Sequence, residues 1–184
     1  MTIVLVGPHG VGKSAVGRSL AAALSLPFHA ELGEELARVR RTPEETAAAP
    51  QEEFDADLFE LEVARDAAWG ESSDRVVESW HPGNLAYAEA RSPSLLPRLL
   101  RRVQGACVGS RVVVVPLEAT LTTLAERQHE PGPLDFFIRV GREAPTWARR
   151  LGFTVLPPVS TDGRSVADLT YEIVTQLKHH QEAQ

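Results

Sequence analysis

The chain has 184 residues, 43% of them hydrophobic and 24% charged, a balance that excludes a disordered or fibrous chain and suits a single domain with its own core. The net charge of −6 argues against a nucleic-acid surface, which carries a positive footprint, but permits a small anionic ligand held by local cations. No apolar run approaches the ~18 residues of a membrane span, Cys107 has no internal disulfide partner, and Thr2–Val6 is too short for a secretory core, so the expected compartment is the cytosol, with no membrane and no nucleic acid among its partners.

Thr2–Val6 is a continuous apolar run with β-branched residues, as in a strand buried on both faces of a parallel sheet, and Gly7 stops it. From Lys13, the residues Val16, Leu20, Ala23 and Leu24 recur at helical spacing until Pro27. Phe28–Glu31 predicts a short strand. Helical patterns follow at Glu34–Arg41 and, after Thr42-Pro43, at Gln51–Trp69, where Phe54, Leu58, Leu61 and Ala68 line one face. Arg75–Ser79 predicts the next strand, and Pro82, Pro93 and Gly105 bracket short helices at Asn84–Ala90 and Leu95–Gln104. Arg111–Leu117, with four successive valines, carries the strongest strand signal. Ala119–Gln128 and Leu134–Leu151 predict helices around the rigid turn Pro131-Gly132-Pro133. Phe153–Leu156 predicts a fifth strand and Ser165–His180 a closing helix. Strands alternating with helices imply an α/β fold: a five-stranded parallel sheet covered on both faces by right-handed crossovers.

One motif carries chemistry. Gly7-Pro8-His9-Gly10-Val11-Gly12-Lys13-Ser14 satisfies the phosphate-loop pattern of glycine, four residues, glycine, lysine and a hydroxyl residue, and it lies between a predicted strand and a predicted helix. Glycines let successive N–H groups face phosphate oxygens, and the helix opening there adds its positive end. Gly7, His9, Gly10, Val11, Gly12, Lys13, Ser14 and Ala15 are therefore the expected nucleotide-binding residues. Lys13 would supply a point charge to the outer phosphates, and the Ser14 hydroxyl would sit on Mg²⁺. Only two of the 19 basic residues are lysine, and one of them stands at the required position.

The run Gly7–Leu24, with Val16-Gly17-Arg18 and Leu20-Ala21, resembles the opening of P-loop kinases of the nucleoside-monophosphate-kinase type. Val115-Pro116-Leu117-Glu118 followed by Ala125-Glu126-Arg127 is similar to the fourth strand and lid arginine of thymidylate and deoxynucleoside kinases. Ser160-Thr161-Asp162-Gly163 before the helix at Val166–Leu177 looks like the loop beside their adenine. The resemblance implies a three-layer P-loop fold over residues 1–184, acceptor-side helices at about 34–69 and a lid at about 127–142. It also implies Mg-dependent transfer of a phosphoryl group from ATP to a small acceptor, a nucleoside or nucleotide. Relatives often pair through helices flanking the acceptor pocket, which leaves a homodimer open. Shikimate-type kinases share the opening but carry aspartates after the second strand, where this chain reads Phe28-His29-Ala30-Glu31-Leu32.

The resemblance and strand-end placement single out further residues. Glu31 matches the deoxynucleoside-kinase base, and Glu78 ends a predicted strand, where it would hold magnesium through water or contact the acceptor; either carboxylate would serve to orient the reacting hydroxyl. Arg127, with Arg139 and Arg142 on the following helix, would meet charge building on the transferred group. Arg65 resembles an acceptor-pocket arginine, although Glu62 and Asp66 offer it surface partners. Trp80 and Asn84 suit the roof over a flat base. Thr161, Asp162 and Gly163 would lie beside the nucleotide base. The rival reading is a nucleotide-binding regulatory module with no phosphate acceptor.

Overall fold

The computed structural model describes residues 1–40, 51–69, 74–107, 109–127 and 133–183. In chain order the elements are β1 (Thr2–Val6), α1 (Lys13–Leu24), β2 (Phe28–His29), α2 (Leu32–Arg40), α3 (Glu52–Trp69), β3 (Arg75–Glu78), α4 (Trp80–Arg91) and α5 (Leu96–Ala106). They continue with β4 (Val112–Glu118), α6 (Leu121–Arg127), α7 (Leu134–Arg150), β5 (Thr154–Val155), β6 (Val159–Ser160) and α8 (Val166–Glu182). The sheet is parallel, in the order β2-β3-β1-β4-β5, with β6 pairing off the end of β4.

β1 lies at the centre, Thr2 beside Arg75 on β3 and beside Val112 on β4. Because successive side chains point to opposite faces, its apolar run divides between two cores. Val4 and Val6 join Val77, Val112 and Val114 beneath α4 and α7, with Phe136, Phe137 and Trp147. Ile3 and Leu5 join Val76, Val113 and Val115 beneath α1 and α8, with Val16, Leu20, Leu169 and Ile173. Each such aliphatic side chain removed from water contributes about 1.5–3 kcal/mol. α1 ends on Ser25 at φ 55, where the Leu26 N–H reaches back to the Ala21 carbonyl, and Pro27 follows.

The structure departs from the sequence reading in several places. A sixth strand, β6, extends the β4 edge through Leu117 and Glu118; at two residues it is too short for a periodicity signal. α4 begins at Trp80, not Asn84, so Pro82 stands in its first turn, where a missing N–H is harmless. α3 is rotated from its expected face: Asp55, Leu58, Phe59 and Glu62 are buried, whereas Leu61 is 45% exposed. Asp55 is buried because Arg91 on α4 grips it with Nε and Nη2, and Ser92 Oγ donates to it at 2.6 Å. The stretch expected as a lid divides: Arg127 closes α6, residues 128–132 lie outside the described residues, and 134–142 open α7 with Phe136, Phe137 and Val140 in the core. The Thr42-Pro43 turn also falls outside the described residues.

α7 presses on the loop after β1 with no room for a side chain between them. A Cβ at Gly141 would stand 2.4 Å from the Pro8 nitrogen. Gly141→Ala is therefore expected to lower stability by about 1–3 kcal/mol in urea unfolding. Gly105→Ala on α5, which faces open space, is expected to be neutral or stabilising by up to ~1 kcal/mol in the same assay.

Candidate active site

The loop between β1 and α1 turns on glycines. Gly10 and Gly12 have φ of 77° and 97°, and a Cβ at Gly7 would fall 2.4 Å from the Leu117 carbonyl oxygen on β4. Val11 is 1% exposed and anchors the loop into the core beneath α1, while Ala15 stands outside at the start of the helix. Lys13 is 6% exposed, and its Nζ donates to the carbonyls of Gly7 at 3.1 Å and Pro8 at 3.2 Å, folding the ammonium over its own loop.

One carboxylate, at the end of β3, meets the helix start that follows this loop, and a second, just beyond β2, meets the next residue along from it. Ser14 Oγ donates to Glu78 Oε1 at 3.0 Å, and Ser79 Oγ donates to Glu31 Oε2 at 2.7 Å. Burial raises the Glu78 carboxyl above its usual range and Glu31 adds to the effect, opposed by Lys13 and the Ser14 hydrogen bond. Ser79 and Trp80 carry this junction at φ of 58° and 47°, values that L-residues rarely adopt. The Ser79 N–H donates to Leu5 at 2.9 Å, and Gly83 leaves the space in which the Ser79 Cβ sits.

A small cavity opens between this loop and α4 and α7, lined by His9, Lys13, Ser79, Tyr87, Phe137 and Val140 among others. His9 pairs with the Tyr87 hydroxyl, and its ring lies 4.6 Å from that of Phe137. Of these six residues, only His9 and Lys13 belong to the phosphate-loop motif. Ser79 follows Glu78 directly at a strand end, a signal that could have exposed it; Tyr87 and Phe137 depend on how α4 and α7 cross.

Arg65 Nη1 donates to the Ala30 carbonyl at 2.9 Å, and the guanidinium lies over Trp69 and pairs with Glu62. That partner is not a surface residue: Glu62 is 1% exposed, and burial pushes its carboxyl up to about 8 against the pull of Arg65. Trp80 is 4% exposed, its indole N–H donating to Asp66 at 3.0 Å and its ring stacked with Phe153, so its faces are spent in packing rather than open to a base. Asn84 is buried on α4, with its Nδ2 unpaired among the described residues.

Arg127 reaches the loop through its backbone, its carbonyl 3.3 Å from where a Gly10 Cβ would be, and its side chain is exposed. Arg139 turns toward α4, donating to the Ala90 carbonyl at 3.3 Å; Arg142 is exposed. The Thr161 N–H donates to Glu118 at 2.8 Å, and the Asp162 carboxylate accepts from the Thr120 N–H at 2.9 Å. Hydrogen bonds from Thr123 and Thr120 hold that carboxyl below its usual range. Gly163, at φ 64, completes the turn, so residues 161–163 are tied to the end of β4 on the same sheet edge as the phosphate loop.

Ser14 and Glu78 offer a hydroxyl and a carboxylate to one point, a donor set that suits magnesium when phosphate oxygens and water complete the shell. Among the described residues no group of three or more His, Cys, Asp or Glu forms a metal site by itself, and no helix is long and apolar enough to cross a membrane.

No family model matches the chain. A shikimate kinase from Novosphingobium aromaticivorans is 32% identical over 126 residues, which are 68% of this chain and 58% of that kinase. The chain thus spans well under two thirds of the length of this curated relative. Among solved structures, the NadR protein in complex with NR superimposes with a TM-score of 0.70 at 12% identity, over 97% of this chain and 50% of that one. A deoxyadenosine kinase from M. mycoides with bound dCTP gives 0.67 at 11% identity, over 97% and 100%. The chain has the P-loop kinase fold. The carboxyl ends of β1, β3 and β6 bring Lys13, Glu78 and Thr161 to one edge of the sheet, the edge at which open α/β sheets place their ligands.

Glu62 has a pH signature. Its carboxyl takes up a proton more readily folded than unfolded, so its contribution favours the folded chain least where the unfolded carboxyl is ionised and the native one must follow. The stability of Glu62→Gln relative to wild type is expected to rise from about pH 5 to about pH 8 and then level off, read by urea midpoints across that range.

Proposed function

We propose that the protein is an ATP- and Mg-dependent phosphotransferase that moves the γ-phosphoryl group to a hydroxyl of a small acceptor, a nucleoside or nucleotide. The observation that carries the reading is the unbroken run of contacts from the phosphate loop to the acceptor side: Lys13 on its loop, Ser14 on Glu78, and next along the chain Ser79 on Glu31. The likeness to a shikimate kinase supports small-molecule phosphoryl transfer, and the deoxyadenosine kinase with bound dCTP supports the nucleoside class. NadR in complex with NR has the same fold around another small ligand.

In this reading the Lys13 ammonium leaves the Gly7 and Pro8 carbonyls for the outer phosphates, and the loop N–H groups and the start of α1 hold the remaining charge. Ser14 directly and Glu78 through water would hold magnesium, which would supply positive charge against that of the transferred group. Glu31, fixed by Ser79, orients the acceptor hydroxyl and accepts its proton as transfer proceeds, with Glu78 as the alternative. Arg127, whose backbone abuts Gly10, swings its exposed side chain over the phosphates. Arg65 and residues 34–69 form the acceptor side of a single domain spanning 1–184, and Thr161, Asp162 and Gly163 flank the nucleotide base.

Lys13→Ala is expected to lower phosphoryl transfer at least ~100-fold while far-UV circular dichroism and the urea midpoint stay close to wild type, because its bonds go only to its own loop. Wild-type turnover in that variant would overturn the site. Purified protein with Mg-ATP is offered nucleosides, nucleotides and small alcohols, and products are weighed by mass spectrometry. An acceptor-dependent product supports the kinase; nucleotide binding or hydrolysis alone across the panel favours a regulatory module.

A further inference from the structure

We infer that Asp162 is a positioning residue for Arg127: it holds the short helix α6 at one end so that the arginine at the other end meets the γ-phosphate of a bound triphosphate. The inference rests on the nucleotide site proposed above and adds to it a residue that acts through another element.

α6 cannot hold its own direction. A helix of seven residues is marginal by itself, and Leu124, 2% exposed in the core beneath α1 and α8, is its one buried side chain among the described residues. Leu121, in the first turn, is 60% exposed. One apolar anchor at the middle lets a rod swivel, so the direction of α6 has to be set at its ends.

Asp162 sets the first end. Its carboxylate accepts from the Thr120 N–H at 2.9 Å and from the Thr120 hydroxyl at 3.2 Å. The Thr120 hydroxyl oxygen in turn accepts from the Thr123 N–H at 3.4 Å, and the Thr120 carbonyl accepts from the Leu124 N–H at 3.0 Å. Hydrogen bonds from Thr123 and Thr120 hold the Asp162 carboxyl below its usual range, so it meets the first turn in its charged form. Asp162 is in turn fixed to the sheet. β6 pairs Val159 with Leu117 and Ser160 with Glu118, and the Thr161 N–H donates to the Glu118 carbonyl at 2.8 Å.

The other end of α6 lands on the phosphate loop. A Cβ at Gly10 would stand 3.3 Å from the Arg127 carbonyl oxygen and 3.4 Å from the Arg127 Cβ, while the arginine side chain itself is exposed. At about 1.5 Å per residue α6 is ~10 Å long, so a tilt of about 10–15° around Leu124 displaces each end by about 1 Å. An error of that size is enough to lose an oriented, charge-assisted contact to phosphate. With its oxygens committed to Thr120, Asp162 acts through α6 and not on the nucleotide base.

The test reads the affinity that a γ-phosphate adds. Mg-AMP-PNP and Mg-ADP are titrated by calorimetry into the full chain as wild type, Arg127→Ala, Asp162→Ala and the double variant, and the ratio of the two dissociation constants is compared. A merely structural loss weakens both nucleotides alike and leaves that ratio in place. Each single variant is expected to shift the ratio toward ADP about 10-fold or more, and the double variant to shift it no further than the single variants do. Asp162→Asn, which keeps an oxygen for the Thr120 N–H, is expected to fall between wild type and Asp162→Ala, and it takes the place of the alanine in the cycle if that variant does not fold. An unchanged ratio in either single variant, or shifts that multiply in the double variant, overturns the inference and leaves the nucleotide site standing. A wild-type chain that binds neither nucleotide overturns the inference together with the proposed function.

Discussion

An ammonium group withdrawn almost wholly from water must find oxygen atoms to replace its hydration, and Lys13 finds them on the backbone of the loop that precedes it. That requirement sets the local shape of the site rather than the stability of the fold around it. The loop returns its Gly7 and Pro8 carbonyls to Nζ while passing through Gly10 and Gly12 at positive φ, and α1 starts at the lysine itself. Glu78, ending the adjacent strand and held by Ser14, answers the same charge from the other side, which is why its own rise is partly opposed by Lys13.

The two cores keep this arrangement in register. β1 sends Ile3 and Leu5 to one side and Val4 and Val6 to the other, so neither face of the central strand can slide without unpacking a layer. Close approaches then fix the loop to its surroundings at positions where no side chain fits: Gly7 against the Leu117 carbonyl and Gly141 against Pro8. Fold stability and loop geometry are therefore carried by the same contacts.

The phosphate loop, the central strands and the helix order are legible in the sequence because they rest on short-range signals: a spaced glycine motif, β-branched runs and 3.6-residue periodicity. What escapes is set by distant partners. The α3 face is misjudged because an apolar pattern favours Leu61 and Ala68 over Asp55 and Glu62, whereas Arg91 and Arg65 draw those two carboxylates inward. The early start of α4 is hidden by the pairing of Trp80 and His81 with Asp66 on another helix, and β6 by its brevity. The likeness to a shikimate kinase and to deoxyadenosine kinase goes with the fold, whereas residues 28–32 lack the aspartates that shikimate-type kinases carry there.

The junction between β3 and α4 holds serine and tryptophan where glycine would rest more comfortably. A chain selected only for robustness would relax both positions. Keeping them retains a hydroxyl that reaches across to another segment's carboxylate and an indole that anchors α3. Thermostability gained by relaxing this corner would therefore come at the expense of the alignment it maintains, an exchange that engineering of this protein would have to respect.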